Sequence, residues 1–334
     1  MRVAQLVAPR ELMLSERRAP EPGPGEVRIA VHVVGICGTD MEFYSGRRES
    51  GYPFILGHEC TGIIDALGRG VKRRSLGERV TLRPNFGCGS CMRCNEGRDN
   101  ICPNSRGMGV TIDGCLAQYI LAPARYVFPL PMKMALETGV LIEPLAVAGR
   151  AVLRAAVGPG TRLLILGAGT IGLLAARCAA LAGAAITVCD PLPERLSIAE
   201  RLGAGVTLAP GRQLDAVRES GFDAVLETAG VAATVATALR MARPGGRVVL
   251  TGIPMEAAAI ETKWMVWREL EVHGSFIYDA EDFEQAALRI QDGSVQACDF
   301  ITHRFTLEEV ADAFELVARH GGLKVLIKIA QEDA

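Results

Sequence analysis

The distribution of apolar residues divides the 334-residue chain into two regions of different texture. Residues 1 to about 145 carry short apolar runs such as VRIAVHVV at 27–34, which are interrupted by PEPGPGE and by many glycine-containing turns. Short runs bounded by Gly and Pro are typical of irregular, mostly antiparallel β-structure. This first region is therefore predicted to be mostly β.

From about residue 160 onward, apolar strands alternate with helices. The segments RLLILG, LLAARCAALAGA, AITVCD and ERLSIAERLGA follow one another as strand, helix, strand and helix, and the alternation continues to about residue 276. Nearly continuous apolar strands separated by helices are typical of a doubly wound parallel sheet that is covered on both faces. The pattern predicts the α/β class, with a parallel-sheet domain beside the β-rich one.

Composition changes this picture mainly by exclusion. With 36 basic and 38 acidic side chains and a formal charge of -2, the chain lacks the field that would hold nucleic acid or an anionic membrane. The longest uncharged apolar stretch, 163–176, is shorter than the roughly 20 residues of a membrane helix. The first residues do not resemble a signal peptide, so we expect a cytoplasmic protein whose ten cysteines are not disulfide-bonded.

A glycine motif, GAGTIG at 167–172, follows the strand RLLIL and opens a helix. Gly167 permits a tight turn, Gly169 lets the backbone approach a pyrophosphate, and Gly172 lets the helix pack closely on the strand. The free N–H groups and the positive dipole end of the helix also suit a phosphate. The motif in this context predicts a dinucleotide site.

Asp190 ends the second strand, about 20 residues beyond the glycines. A carboxylate at this position accepts hydrogen bonds from the ribose hydroxyls and repels a 2′-phosphate. We therefore predict that NAD is preferred to NADP. Arg195, five positions further on, would weaken that preference.

Four cysteines, spaced C-x2-C-x2-C-x7-C, lie in one glycine-rich loop at about 86–103. Four thiolates in a short loop suit a closed tetrahedral zinc site that stabilises a small lobe. An iron–sulfur cluster is the alternative, because C-x2-C-x2-C also occurs in ferredoxin-type loops. The gap of seven residues before the last cysteine favours structural zinc, with the ligands Cys88, Cys91, Cys94 and Cys102.

A second group of metal-binding side chains is dispersed along the first region. It comprises Cys37 in GICGTD, the pair His58 and Glu59 in LGHE, and Glu143 in LIEPLA. A thiolate, an imidazole and a carboxylate with one open position are the components of a catalytic zinc site. Their spacing alone does not join them.

Taken together, these motifs resemble the zinc-containing medium-chain dehydrogenases over essentially the whole chain. The resemblance is strongest to the sorbitol (polyol) and threonine dehydrogenase branches, because Glu143 stands where simple alcohol dehydrogenases have a cysteine ligand. The segments that carry it include PGPGEVRIAV, GICGTD, GHE, DGCLAQY, EPLAVAGRA, GAGTIG, THRF, TLEEVADAFE and GGLKVLIKI.

The resemblance implies two domains. Residues 1–145 and 278–334 would form a GroES-like catalytic domain that includes the structural zinc lobe, and residues 146–277 a Rossmann domain that binds NAD. Members of this family suggest a homodimer or homotetramer, and the substrate is expected to be a small alcohol.

The resemblance also assigns roles to single residues around the catalytic zinc. Cys37 and His58 are implied as direct ligands, and Glu59 and Glu143 compete for the third place. Thr39 matches the hydroxyl residue that receives the proton of the substrate.

Other roles concern the cofactor and the substrate. Ile171 matches the residue behind the nicotinamide and Lys324 a basic residue near the pyrophosphate. Glu42 replaces a relay histidine, so the proton leaves through Glu42 or through water. Tyr278 matches a residue of the substrate pocket. The expected cofactor contacts are Gly167, Gly169, Thr170, Ile171, Gly172, Asp190, Arg195 and Lys324.

The function predicted in this way is hydride transfer between NAD and a secondary alcohol or its ketone by a zinc-dependent dehydrogenase. A polyol, sugar or cyclitol is the expected substrate, although the replacement of the polyol branch's arginine by Ile277 weakens that expectation. A threonine-type 3-dehydrogenase acting on an amino alcohol is the nearest alternative. The non-enzyme alternative is a zinc-binding interaction protein with a vestigial nucleotide fold.

Overall fold

The computed structural model describes residues 1–49, 51–217 and 221–330 of the chain. The chain divides into two compact units, the first made of Met1–Glu143 with the segment that begins at Ala287, and the second made of Pro144–Ala286. The boundaries expected from the sequence lie at 145/146 and 277/278. The second observed boundary is nine residues later and falls inside a helix, where the hydrophobic pattern has no break.

The strands and helices are numbered here in chain order. The strands are β1 (Arg2–Ala8), β2 (Glu11–Glu16), β3 (Glu26–Gly35), β4 (Glu59–Leu67), β5 (Arg79–Leu82), β6 (Asn85–Phe86), β7 (Arg106–Gly107), β8 (Tyr119–Pro123), β9 (Val127–Pro129), β10 (Arg162–Leu166), β11 (Ala185–Cys189), β12 (Val206–Leu208), β13 (Phe222–Glu227), β14 (Ala242–Leu250), β15 (Glu271–Gly274), β16 (Ile301–Thr306) and β17 (Lys324–Lys328). The helices are α1 (Gly38–Tyr44), α2 (Met92–Asn95), α3 (Leu136–Gly139), α4 (Ile142–Arg154), α5 (Thr170–Leu181), α6 (Pro193–Arg201), α7 (Arg212–Ala216), α8 (Ala232–Met241), α9 (Thr262–Trp267), α10 (Ala280–Gln291) and α11 (Val310–Ala318).

The first unit is built on a seven-stranded sheet. Its strand order is β16-β17-β3-β4-β5-β9, and β8 pairs with β3 outside this path. Along most of β3, buried residues alternate with half-buried ones, which is the period of a strand with one face in the core. Because β17 pairs antiparallel with β3, the carboxyl-terminal segment completes the sheet that the amino-terminal region begins.

The second unit contains a six-stranded sheet with the order β12-β11-β10-β13-β14-β15. All of its strand pairs are parallel, and the order reverses beside β10, as it does in doubly wound dinucleotide-binding folds. Strand β10, RLLIL, has four consecutive buried residues, as expected for a central strand covered on both faces. The predicted α/β fold, with a mostly-β domain and a parallel-sheet domain, is confirmed.

No helix in the described part of the chain is both long enough and apolar enough to cross a bilayer.

Candidate metal centres and dinucleotide turn

Three of the predicted ligands for a catalytic metal lie together in the first unit. Cys37 directly precedes α1, His58 directly precedes β4, and Glu59 is the first residue of β4. The ligand atoms of these three residues all lie within 4.8 Å of one another, and His58 and Glu59 are buried. The fold therefore joins a thiol, an imidazole and a carboxylate that sequence spacing could not connect.

Asp40 supports this cluster and was not recognised from the sequence. It is buried, and its Oδ2 accepts a hydrogen bond from the backbone N–H of Cys37 at 2.8 Å. Its Oδ1 accepts one from the N–H of Gly57 at 2.9 Å and lies 3.5 Å from His58 Nδ1. A carboxylate behind a ligating histidine orients the ring and raises its basicity, so Asp40 positions both Cys37 and His58.

The electrostatics of the cluster favour a bound cation. Burial alone would lower the pKa of His58, but the charges of Asp40 and Cys37 outweigh burial and raise that pKa well above its ordinary value. Positive charge is thus stabilised at this position, which a divalent metal ion would supply. The donor set fits Zn²⁺, which binds Cys, His and carboxylate ligands.

Lys324 is the buried cation next to this cluster. Its ammonium donates hydrogen bonds to both carboxylate oxygens of Glu59, at 2.8 Å to Oε1, and to the carbonyl of Ile36 at 3.1 Å. Burial lowers the pKa of Lys324, but Glu59 and the other nearby acids raise it above its ordinary value. The pyrophosphate contact that the resemblance implies for Lys324 stays a prediction.

Glu143 lies in the first turn of α4, and its charge contributes to the raised pKa of Lys324. Among the described residues, the group whose ligand atoms all lie within 4.8 Å of one another contains Cys37, His58 and Glu59 but not Glu143. Of the two acids that compete for the third ligand position, Glu59 is therefore the one already next to Cys37 and His58.

Helix α1 carries the two residues predicted to move the proton. Thr39 lies in its first turn, two residues after the Cys37 cap, and Glu42 follows three residues later on the same helix face. Glu42 Oε1 accepts a hydrogen bond from the exposed Arg47 at 2.8 Å. Its Oε2 is buried and has no hydrogen-bond partner among the described residues. The carboxyl group thus has one inward and one outward oxygen.

The four clustered cysteines surround a second candidate metal site in the first unit. All four sulfur atoms lie within 4.8 Å of one another. Cys91 Sγ lies 3.8 Å from Cys102 Sγ, and Cys88 Sγ lies 4.0 Å from Cys94 Sγ. This arrangement fits a closed tetrahedral zinc site.

The pKa values of these thiols indicate how a bound cation would stabilise the lobe. Hydrogen bonds from Ser90 lower the pKa of Cys88 to about 6. A backbone hydrogen bond from Gly89 lowers the pKa of Cys94, but burial and the other three cysteine sulfurs raise it to about 12. Mutual repulsion disfavours ionisation of all four neighbouring thiols, and a divalent cation would offset that repulsion.

In the second unit, the glycine motif forms the tight turn between β10 and α5. Gly167 has a φ of +102°, which side chains rarely adopt. A Cβ on Gly172 would lie 1.8 Å from the carbonyl oxygen of Gly167, so only glycine lets the helix approach the turn. A Cβ on Gly169 would meet open space, as expected where a ligand approaches the backbone.

Asp190 is fixed to this turn. It directly follows β11 and is only 5% exposed. Its Oδ2 accepts a hydrogen bond from the N–H of Ala168 at 2.7 Å, and its Oδ1 accepts one from the N–H of Leu192 at 2.9 Å. These bonds orient the carboxylate beside the glycine turn, where a ribose would lie.

The remaining predicted residues also lie in the second unit. Thr170 and Ile171 form the first turn of α5, and Arg195 lies on α6, partly exposed. Tyr278 is buried, and its ring lies 5.4 Å from that of Phe283. Ile277 has a φ of +40°, which is rare for a β-branched residue.

Comparisons with known proteins agree with this geometry. A family model described as the alcohol dehydrogenase GroES-like domain matches residues 23–132, and one described as zinc-binding dehydrogenase matches residues 170–292. The first match includes Cys37, His58, Glu59 and the four clustered cysteines, but not Glu143 or Lys324. The second match begins within the glycine turn.

Similar proteins match over nearly the full chain. The sorbitol dehydrogenase of Bacillus subtilis (strain 168) is 34% identical, over 98% of this chain and 97% of its own. The L-idonate 5-dehydrogenase of Vitis vinifera is 32% identical, over 98% and 94%. Among solved structures, one is described as a zinc-binding dehydrogenase from Sinorhizobium meliloti 1021 bound to NADP, and its sequence is 34% identical. The match covers 98% of this chain and 99% of that chain, with a TM-score of 0.92.

The two ligand clusters predict a metal content of two zinc ions per chain, measured by elemental analysis after extensive dialysis. Replacing Cys37→Ser removes a ligand from one cluster only, so one zinc should remain. Cys298→Ser, an exposed cysteine outside both clusters, is the control and should keep two. A Cys37→Ser protein that retains two ions would contradict the assignment.

The glycine turn allows a matched pair of substitutions. Gly172→Ala forces a Cβ against the Gly167 carbonyl and should reduce the free energy of unfolding by about 2 kcal/mol or more, as overpacking does. Gly169→Ala has room for its methyl group and should keep wild-type stability but bind NADH more weakly. Thermal unfolding and NADH fluorescence titration measure the two effects. Equal stability of both variants would argue against this packing of the turn.

Proposed function

The chain belongs to the family of zinc-binding dehydrogenases with an alcohol dehydrogenase GroES-like domain, and we propose that it oxidises a polyol or sugar alcohol with NAD⁺. The observation that carries the proposal is the convergence of Cys37, His58 and Glu59 within 4.8 Å. A set of this composition, with its histidine and carboxylate buried, leaves a fourth position for a substrate oxygen. The reverse reaction reduces the corresponding ketone.

The substrate class rests on the relatives. Those at 34% and 32% identity are named for sorbitol and L-idonate, both of which are polyhydroxylated. Glu143 supports the same class, because it stands where simple alcohol dehydrogenases have cysteine. We therefore propose a secondary carbinol of a polyol or sugar acid as the group that reacts.

Each metal has a proposed set of ligands and one kind of chemistry. Cys37, His58 and Glu59 would hold the catalytic zinc, and the four clustered cysteines would hold the structural one. The catalytic zinc supplies Lewis acidity that lowers the pKa of a substrate hydroxyl. NAD⁺ supplies the hydride acceptor, and the glycine turn of the second unit binds its pyrophosphate.

The chain's own residues move the proton. We propose that the hydroxyl oxygen of Thr39 accepts the proton of the substrate hydroxyl and gives up its own to Glu42, whose Oε2 is buried and has no hydrogen-bond partner among the described residues. The outward Oε1 is bonded to Arg47, whose side chain is largely exposed. Glu42 thus connects the interior of the site with solvent and takes the place of a relay histidine.

NAD is the proposed cofactor rather than NADP. Asp190 is oriented by two backbone N–H groups beside the turn, and its charge would repel a 2′-phosphate. A similar protein was crystallised with NADP, so the chain's preference depends on its own residues, of which Asp190 opposes NADP and Arg195 favours it.

We further propose a cytoplasmic homo-oligomer. None of the ten cysteines, all of which lie in the described residues, forms a disulfide bond, which suits a reducing compartment. Strand β15 forms one edge of the six-stranded sheet. Among the described residues, no strand pairs with its outer side. On the nearby α9, Val266 and Trp267 are 73% and 72% exposed. An unpaired edge near exposed apolar side chains suits pairing with a second copy.

The proposed reaction is tested by NADH formation from NAD⁺ and a panel containing sorbitol, L-idonate, other polyols, cyclitols, threonine and simple secondary alcohols. We expect turnover of polyols or sugar acids, and none by the Cys37→Ser variant. Turnover confined to threonine would favour the amino-alcohol alternative. A protein that binds both zinc ions but turns over nothing in the panel would contradict the proposed substrate class.

The cofactor preference is tested with Asp190→Ala. Loss of the carboxylate removes its bonds to the ribose and its repulsion of the 2′-phosphate, so kcat/KM should fall for NAD⁺ and rise or stay constant for NADP⁺. Steady-state kinetics with both cofactors measure the ratio. An unchanged ratio would show that Asp190 does not set the preference.

The proton route is tested with Glu42→Gln, which keeps the shape of the side chain but cannot carry a proton. We expect kcat to fall by about 100-fold, the lower range for loss of a positioned acid–base group, with little change in KM for NAD⁺. Glu49→Gln, an exposed neighbouring acid, is the control and should leave kcat unchanged. Wild-type kcat in Glu42→Gln would assign the route to water.

A further inference from the structure

Glu227 is a fully buried acid that the proposed reaction does not use. It is the last residue of β13, in the second unit, and is 0% exposed. Burial raises the pKa of its carboxyl group, although hydrogen bonds from Thr234 and nearby backbone N–H groups oppose this effect. A buried acid at the carboxyl end of a parallel strand costs stability unless it is well bonded, and such positions are where ligands bind in this fold.

One carboxyl oxygen of Glu227 organises the loop that leads to α8. Glu227 Oε1 accepts hydrogen bonds from the N–H groups of Ala229 and Gly230, each at 2.9 Å. It also accepts one from the hydroxyl of Thr234, in the first turn of α8, at 2.7 Å. Three donors on one oxygen fix the path of the chain between β13 and the helix.

The fixed loop packs directly against the glycine turn. A Cβ on Gly167 would lie 2.9 Å from the backbone nitrogen of Ala229 and 3.0 Å from its Cβ. The hydroxyl of Thr228 donates hydrogen bonds to the carbonyls of Leu166 and Gly167, at 3.0 and 2.9 Å. Any shift of Ala229 therefore changes the support of the turn.

Glu227 also holds the segment that follows β14. Its backbone carbonyl accepts hydrogen bonds from the N–H groups of Thr251 and Gly252, at 2.9 and 3.0 Å. A Cβ on Gly252 would lie 2.7 Å from Glu227 Oε2 and 2.2 Å from the nitrogen of Gly230. The carboxyl group therefore lies where both loops meet, and its Oε2 has no hydrogen-bond partner among the described residues.

We propose that Glu227 is a positioning residue of the dinucleotide site, which holds Ala229 against the glycine turn and so keeps the turn in its binding conformation. The inference rests on the proposed function, because it assumes that this turn binds NAD. It extends that function by assigning to cofactor binding a residue that does not itself touch the cofactor.

The experiment compares NADH affinity, by fluorescence titration, with thermal stability in matched variants. Glu227→Leu removes the three acceptor bonds and should weaken NADH binding about tenfold, or about 1.4 kcal/mol, with a parallel rise in KM for NAD⁺ and little change in kcat. Glu227→Gln keeps an acceptor oxygen and should restore an affinity close to that of the wild type.

Asp223→Ala is the matched control, at the opposite end of β13. Asp223 accepts hydrogen bonds from the N–H of Arg162 at 2.8 Å and from Arg243 Nε at 2.6 Å, far along the strand from the turn. We expect a lower unfolding temperature with unchanged NADH affinity. If Asp223→Ala and Glu227→Leu weaken NADH binding equally, Glu227 has only a structural role and the inference is overturned.

The other outcomes are also decisive. Wild-type NADH affinity in Glu227→Leu overturns the inference alone, whereas a wild-type protein that binds neither NADH nor NADPH overturns the proposed function and the inference together. If Glu227→Leu does not fold, Thr234→Val replaces it. This change removes one donor from the same oxygen and should weaken NADH binding about twofold to threefold, as loss of a single hydrogen bond does. Unchanged affinity in Thr234→Val would then overturn the inference.

Discussion

The buried ion pair between Lys324 and Glu59 is the interaction on which the catalytic unit depends. The two residues are 265 positions apart in sequence, and both are almost fully inaccessible to solvent. Removing one member of such a pair leaves an uncompensated buried charge, which typically costs about 3–5 kcal/mol. The first unit therefore requires its carboxyl-terminal strand, β17, both to complete the sheet and to supply the cation next to the metal cluster.

The pair compensates the charge of one of the buried acids of this unit. Asp40, Glu59 and Glu143 are all buried, and Lys324 is the basic side chain in contact with one of them. Asp40 is satisfied by backbone N–H groups instead, which orient Cys37 while they hold the carboxylate. The remaining negative charge suits a divalent cation. In the second unit the main constraint is steric rather than electrostatic. Gly167 and Gly172 lack side chains, so other parts of the backbone can approach them closely and the glycine turn can form.

The features that can be predicted from the sequence alone are local. The glycine turn spans six residues and the cysteine lobe about fifteen, so the spacing of their residues is enough to predict the kind of ligand that each would bind. The alternation of strands and helices likewise predicted the parallel sheet, which is confirmed. The dispersed ligands could be joined only through the resemblance, because contacts between α1 and β4 depend on the completed sheet.

The residues that were missed act through long-range contacts. In the sequence, nothing distinguishes Asp40 from any other acid near a cysteine. The fold brings its Oδ1 to 3.5 Å from His58 Nδ1. Glu227 ends an apolar strand, and the one available signal was a charged residue at the carboxyl end of a parallel strand. Lys324 resembles a cofactor residue in sequence, whereas its contacts in the structure are with Glu59 and Ile36. Partners of a buried charge depend on tertiary packing, which periodicity does not encode.

The most direct measurement is zinc anomalous diffraction from crystals of the protein with NAD⁺. The account predicts two zinc peaks, one among the four clustered cysteines and one bound by Cys37, His58 and Glu59. A single peak at the cysteine lobe, with the Cys37 cluster empty in active protein, would contradict the central claim that Cys37, His58 and Glu59 hold the catalytic metal.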